Sequence, residues 1–388
     1  MGERGLVVYV GPYAFPDGGA AARRILGNAR SLREAGYAVE IASGQMQGPA
    51  EYAGFPVHSL GERTAEHMPS GLKRLLYAGM GIKTVEWLAA LPRRPSAVIL
   101  YSGYSPYLMR LLPWCAKARV PLIFDAVEWY DPPNWYDWLR SPYYWNTEVA
   151  MRHFAPRADN ILAISSYLER HYAARGCNTV RVPPTLDTAD VTPNLQPGEG
   201  PLTLAYTGTP GHKDLFDAYL EALLDLDPEG DRVRLRMAGL SPEEVLAFPA
   251  MRRKGARALP GCVEVLGRVP QEKAMELTRG ADFSVLLRPD TRTSKAGFPT
   301  KVVESLAVGT PVICNLTTDL GEHIREGREG VVCRDGSAGA LKDALRRAMA
   351  LSREERGRMR AAARAEAERA FDFRRHTQAL ADFVERAQ

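Results

Sequence analysis

Residues Lys295–Cys314 read KAGFPTKVVESLAVGTPVIC, and the rest of the chain can be read outward from them. Gly297-Phe298-Pro299-Thr300 predicts a turn, and Lys301–Val308 predicts a helix of about two turns capped by Thr300. Pro299 discourages any earlier helical turn. Val302, Val303, Leu306 and Ala307 give that helix one apolar face, which places Lys301 and Glu304 as neighbours on the opposite face. Gly309 ends the helix, and Thr310-Pro311 leads into the strand Val312–Cys314. A helix start with free N–H groups, a lysine and an open glycine backbone suits an anion, foremost a phosphate. A neighbouring glutamate would repel the phosphate but could accept hydrogen bonds from sugar hydroxyls, so the pair points to a nucleotide sugar. The same residues also fit an ordinary strand–loop–helix unit whose Lys–Glu pair is only a solvated ion pair.

Strand-like and helical stretches alternate on either side. Leu6–Val10, the helix Ala20–Ala35 and the strand Tyr37–Ala42 open a βαβ unit, which starts a parallel sheet. Gly18-Gly19 sits where the first strand gives way to its helix. The pattern continues through Phe55–His58, the helix Leu72–Leu91, Ala97–Tyr101, the helix Tyr107–Ala118, Pro121–Asp125 and, after an aromatic loop, Ile161–Ile164. Asp187–Gly200, rich in Pro, Gly, Asp and Thr, reads as the linker. Leu202–Tyr206 then restarts the alternation and ends in Thr207-Gly208-Thr209-Pro210-Gly211-His212-Lys213-Asp214. That glycine loop with a lysine before the helix Leu215–Leu226 is again suited to an anion. Further strands at Arg234–Ala238, Val263–Leu266 and Ala281–Leu287 end at Gly239, at Gly267-Arg268-Val269 and at Arg288. The expected domains are 1–190, 191–370 and a closing helix, 371–388, that crosses back to the first.

Composition excludes several classes. A length of 388 residues suffices for two cores, and a net charge of +4 without a basic run argues against a duplex nucleic-acid binder. Five widely spaced cysteines offer no disulfide framework and no zinc-ligand spacing. Reduced thiols and a start without a leader pattern lead us to expect a cytoplasmic protein. Residues 125–145, DAVEWYDPPNWYDWLRSPYYW, hold four of the six tryptophans, and Asp131-Pro132-Pro133 forbids one continuous helix there. Trp129, Tyr130, Trp135 and Trp138 are candidates for the acceptor side. The stretch equally fits a self-packed lid, or peripheral contact with the inner face of a membrane.

Glu304, Ala307, Gly309, Pro311 and Val312 resemble the donor signature of GT-B glycosyltransferases of the family 4 type, in its Gly-Phe-Pro-Thr-Lys variant. Ala296 stands where the family's first glutamate falls, and Val127 where many members carry a histidine; Glu128 remains. Gly18, Gly19 and Arg23 match the family's first loop, and Ala158-Asp159 with Ser165 its last strand and helix of the first domain. The resemblance implies two doubly wound Rossmann-like α/β domains facing a cleft, and a hexosyltransferase-like enzyme using a nucleoside-diphosphate sugar, with retention and no cofactor. Lys213, Lys301 and the helix starts at Thr300 and Gly211 would stabilise the leaving diphosphate without metal. Glu304 would hold a donor hydroxyl. Gly18, Gly19, Gly208, His212, Arg268, Val269, Arg288, Gly297, Phe298, Pro299 and Thr300 would complete the donor site, and Glu128 would sit at its edge. The acceptor would be a carbohydrate, a lipid-linked glycan or a small natural product. The alternatives are a GT-B nucleotide-sugar epimerase or hydrolase, and a non-catalytic nucleotide-binding homologue, kept open by Ala296 and Val127.

Overall fold

Two sheets carry the chain. The computed structural model describes residues 4–62, 77–101, 104–132, 134–211 and 213–388. The first sheet contains β1 (Leu6–Gly11), β2 (Ala38–Ser43), β3 (Glu51–Tyr52), β4 (Phe55–Ser59), β5 (Ala97–Tyr101), β6 (Leu122–Ala126), β7 (Asn160–Ala163) and β8 (Asn178–Arg181). Its spatial order is β3-β4-β2-β1-β5-β6-β7-β8, parallel except for the β3–β4 pair. The second contains β9 (Leu202–Thr207), β10 (Val233–Ala238), β11 (Val263–Val265), β12 (Phe283–Leu286), β13 (Val312–Asn315) and β14 (Gly330–Cys333). Its order is β11-β10-β9-β12-β13-β14, parallel throughout. Each sheet reverses its strand order once, between β1 and β5 and between β9 and β12. The loops at the carboxyl ends of those strands are where doubly wound sheets bind ligands.

By their contacts, residues 1–186, 296–298 and 373–388 form one unit, and residues 187–295 and 299–372 the other. Ala296–Phe298, placed by sequence in the second domain, thus groups with the first. In the first unit every residue of β1 is buried, as a parallel strand covered on both faces requires. Tyr9, Ile41, Ile99 and Ile123 pack there against Ile25 and Leu32 of the helix Ala20–Glu34 and against Leu380, Phe383 and Val384 of the closing helix Thr377–Ala387. In the second unit Leu204, Leu235, Met237, Phe283 and Ile313 pack with the helices Phe216–Leu226 and Ala338–Ala350.

Several elements differ from expectation. β3 and β8 are edge strands whose polar residues gave no strand signal; β8, Asn178-Thr179-Val180-Arg181, is half-buried throughout. The helix expected at Leu72–Leu91 is described over Ile82–Ala90, with residues 72–76 outside the described range. Residues 125–145 contain two short helices, Trp135–Arg140 and Pro142–Val149. The second continues as a π-helical turn at Ala150–Phe154. All five cysteines are unpaired and buried, and no helix among the described residues is long and apolar enough to cross a membrane.

Candidate active site

In the second unit, the turns that follow β9, β10 and β11 meet through glycine. Gly208 donates its N–H to the Ala238 carbonyl at 2.8 Å, and Gly239 donates to Gly267 at 2.7 Å. A Cβ on Gly239 would lie 2.5 Å from the Gly208 backbone, so these strand ends approach this closely only without side chains. Gly208 itself has φ +102°, and a Cβ on it would lie 3.2 Å from Lys301 Cε. The lysine stem therefore lies directly over the first glycine turn.

Lys301 is held by a buried network. Its Nζ donates to Tyr206 OH at 2.9 Å and meets Asp214 Oδ2 at 3.1 Å, 4.1 Å from the centroid of the Tyr206 ring. Tyr206 OH donates to the same Asp214 oxygen at 2.7 Å, and Arg288 Nε stands 3.4 Å from Asp214 Oδ1. Asp214 is 3% exposed and Lys301 28%. Burial pushes the Asp214 carboxyl up, but the charges of Lys301 and Arg288 and the bond from Tyr206 outweigh it and leave it below the ordinary carboxylate range. Burial pulls the Lys301 ammonium down; Asp214 opposes this, while the positive charges of Arg288 and Lys213 add to it. Two cations and a third nearby, arranged on one carboxylate, leave surplus positive charge at the carboxyl edge of β9 and β12.

The helix behind this cluster departs from expectation in two ways. It spans Thr300–Ala307, and Pro299 (φ −77°, ψ 103°) is the residue before it, with no side-chain cap; Thr300 is its first residue. Glu304 is not on a solvated face. It is 8% exposed and accepts a hydrogen bond from Gln271 Nε2 at 3.0 Å, because residues 302–307 are buried all round. Ahead of it lies the short helix Arg292–Ala296, and Gly297, Phe298 and Pro299 are buried. The other expected helix start, at Gly211, is a turn closed by Asp214 N–H on the Gly211 carbonyl at 3.1 Å; that helix opens only at Phe216. Arg288 is a buried partner of Asp214, and its backbone is fixed on both sides by the Asn315 amide at 2.9 and 2.8 Å. Arg268 is exposed, and Val269 packs beside Ala205 and Ala238. His212 lies outside the described residues.

In the first unit, the loops after β1, β5 and β6 surround a cavity of about 350 Å³, lined in part by Tyr13, Gly18, Tyr101, Glu128, Tyr130 and Tyr143. Gly18 has no space for a side chain, since a Cβ would lie 2.0 Å from the Ala14 carbonyl oxygen; Gly19, at φ +60°, precedes the helix Ala20–Glu34. On the same helix Arg23 is half-buried, and its neighbour Arg24 is fully buried. It pairs with Asp125 at 2.7 Å and donates to the Val182 carbonyl at 2.8 Å, while Tyr9 OH donates to Asp125 at 2.9 Å.

The aromatic stretch separates into two roles. Trp129 is 1% exposed, donates to Glu148 Oε1 at 2.9 Å and meets the His171 ring edge-on at 4.7 Å, so it is core and not an acceptor-side surface. Tyr130 lines the cavity. Trp135 is 74% exposed, and Trp138 stacks on Trp145 at 5.4 Å. Sequence reasoning missed Asp214 and Tyr206. An aspartate beside a phosphate lysine reads as repulsive, and only the fold shows it serving as the anchor.

Two family models match the chain: "Glycosyl transferases group 1" over residues 191–366 and "Glycosyl transferase 4-like domain" over residues 19–185. No curated protein sequence matches it. Among solved structures it is similar to sucrose-phosphate synthase from Thermosynechococcus elongatus, with TM-score 0.74 at 14% identity, covering 99% of each chain. It is also similar to Anabaena HepE in complex with UDP and glucose, with TM-score 0.68 at 16% identity over 98% of this chain and 99% of that one. A third is WaaG, a glycosyltransferase involved in lipopolysaccharide biosynthesis, with TM-score 0.65 at 17% identity over 98% and 99%. These likenesses carry the fold, and the two family models, one on each unit, carry the family. The chain belongs to the GT-B glycosyltransferases and resembles glycosyltransferase family 4.

Proposed function

We propose that the chain transfers a hexosyl group from a nucleoside-diphosphate sugar to an acceptor hydroxyl. The observation that carries this reading is Lys301, seated over the Gly208 turn by Asp214 and Tyr206 with Arg288 alongside. A diphosphate placed there meets a preorganised cation that needs no rearrangement as charge develops on the leaving group. Lys213 adds to the same field. The Gly208, Gly239 and Gly267 turns leave room for a close backbone approach. Glu304, already oriented by Gln271, would accept a hydroxyl of the donor. Anabaena HepE, of the same fold, is described in complex with UDP-glucose, which supports a donor of this class.

In the proposed reaction the bond between the anomeric carbon and the β-phosphate oxygen breaks, and the acceptor oxygen bonds to that carbon with retention of configuration. The acceptor proton passes to a phosphate oxygen, so no carboxylate nucleophile is required. Lys301 and Lys213 would offset the diphosphate charge without a metal ion. The acceptor would be a carbohydrate, a lipid-linked glycan or a small natural product. The exposed Trp135 and stacked Trp138–Trp145 offer a surface for an apolar acceptor or for peripheral contact with a membrane.

The test is release of free nucleoside diphosphate from a panel of nucleotide sugars, with and without acceptors and with chelator present. Acceptor-dependent release that persists in chelator is the expected result. Release independent of any acceptor would favour hydrolysis or epimerisation, and no release from any donor would leave only nucleotide binding.

A further inference from the structure

Tyr206 divides between two environments. Its ring belongs to the second core: the residue is 1% exposed, and the ring lies 5.2 Å from Phe216 and 5.8 Å from Tyr219. The residue stands at the carboxyl end of β9, two positions before Gly208, and its hydroxyl reaches the cluster that carries Lys301. A phenylalanine would fill the same core equally well, so packing accounts for the ring and leaves the hydroxyl unexplained.

That hydroxyl closes a triangle of hydrogen bonds. It accepts from Lys301 Nζ at 2.9 Å and donates to Asp214 Oδ2 at 2.7 Å, while Lys301 Nζ donates to the same Oδ2 at 3.1 Å. The direction of each bond is fixed. Burial and the charge of Asp214 push the phenol up, so Tyr206 keeps its proton, points it at the carboxylate and turns a lone pair to the ammonium. A lysine carries its charge on a flexible stem, and here two acceptors and the Tyr206 ring, its centroid 4.1 Å from Nζ, fix where the ammonium sits. An ammonium has three donors, so the two acceptors leave at least one N–H for a ligand. Lys301 is 28% exposed, which keeps that N–H within reach of one.

Charge by itself does not explain the arrangement. Asp214 touches both Lys301 and Arg288, so the cluster attracts an anion less strongly than its two cations alone would. What the carboxylate and the phenol add is a fixed place for the ammonium. We propose that Tyr206 is a positioning residue: its hydroxyl, with Asp214, holds the Lys301 ammonium where one N–H meets a single oxygen of a nucleoside diphosphate. The place of the charge, and not its sign alone, then sets the affinity. The identity of the ligand rests on the glycosyl-transfer reading above; the dependence of Lys301 on Tyr206 does not.

The experiment is a double-mutant cycle in nucleotide binding on the full chain. ADP, GDP, CDP, UDP and dTDP are titrated by calorimetry into the wild type, Tyr206→Phe, Lys301→Ala and the double variant. The nucleoside of the tightest binder, followed by ligand-observed NMR, controls for the rest of the site. Tyr206→Phe should weaken the diphosphate about fivefold, leave the nucleoside at its wild-type affinity, and have no further effect once Lys301 is alanine. A loss of general structure would weaken the nucleoside as well and would persist in the Lys301→Ala background. Lys301→Arg gives a second measurement that leaves the core untouched. It keeps the charge but carries it on a planar fork in place of a compact ammonium, so diphosphate affinity should again fall by about fivefold or more. Wild-type diphosphate affinity in Tyr206→Phe or in Lys301→Arg, an equal loss of nucleoside affinity, or additive losses in the double variant would overturn the proposal. Absence of diphosphate binding by the wild type would overturn the donor reading and the proposal together. Binding that Lys301→Ala weakens and Tyr206→Phe does not would overturn the proposal alone.

Discussion

Asp214 carries more of the site than its neighbours on the sequence suggest. It holds two cations and a phenol, and removing either cation takes a charged partner from a buried carboxylate. Lys301→Ala should therefore lower stability by about 1–3 kcal/mol, the range for a charged hydrogen bond lost from a buried partner, and weaken nucleotide binding as well. The double variant Lys301→Met with Asp214→Leu should be less stable in urea than Lys301→Met alone, because it leaves the buried Arg288 guanidinium without its carboxylate. The pH dependence has a fixed sign. Because the folded carboxyl of Asp214 lies below its unfolded value, its contribution is complete above the usual carboxylate range of about 4 and is lost as pH falls through the folded value. Denaturation midpoints of wild type and Asp214→Asn should thus differ at pH 6 and converge toward pH 3. A constant difference would mean that Asp214 is not charged in the fold.

At the scale of elements, the aromatic stretch shows why a composition signal is not yet a site. Trp129 and Trp135 lie six residues apart, and only the structure reveals that one is core and the other surface. Trp129→Ala should cost roughly 3–5 kcal/mol, as large-to-small changes in a core do, whereas Trp135→Ala should fall within about 0.5 kcal/mol of wild type. Chemical denaturation of the two variants decides between this division and a wholly exposed aromatic face. Most of the strands were legible, because stretches such as Leu6–Val10 and Leu202–Tyr206 are largely apolar runs that end at or near a glycine. β8 was not, since a half-buried edge strand alternates too weakly to stand out. Lys301 and the glycine turns were also legible, through local spacing. Asp214 and Arg24 were not, because their partners are set by sheet topology: Arg24 reaches Asp125 across 101 positions and Lys301 reaches Asp214 across 87. The inversion of Glu304 from solvated to buried has the same origin. The helix amphipathy gave one apolar face, but the neighbouring helix Gln271–Gly280 supplies a polar partner on the other.

For the whole molecule, the closing segment Phe373–Gln388 belongs to the first unit although it follows the second in sequence. Leu380, Ala381, Phe383 and Val384 are buried in the first core, and Ser31 Oγ donates to the Phe373 carbonyl at 2.7 Å. Each large apolar side chain removed from that core forfeits about 1.5–3 kcal/mol, a sum comparable to the stability of an entire domain. Deleting residues 373–388 should therefore unfold the first unit and leave the second with its own thermal transition in calorimetry. A single unchanged transition would contradict this division of the cores. In each unit the candidate groups gather where strand order reverses, β1 to β5 and β9 to β12. In the proposed reaction Lys301, anchored on Asp214 and Tyr206, is the cation that receives the donor diphosphate. Isothermal titration of a panel of nucleoside diphosphates into wild type and Lys301→Ala tests it most directly. At least one nucleotide should bind the wild type and bind Lys301→Ala at least tenfold more weakly, about 1.4 kcal/mol. Equal affinity for both proteins would contradict it.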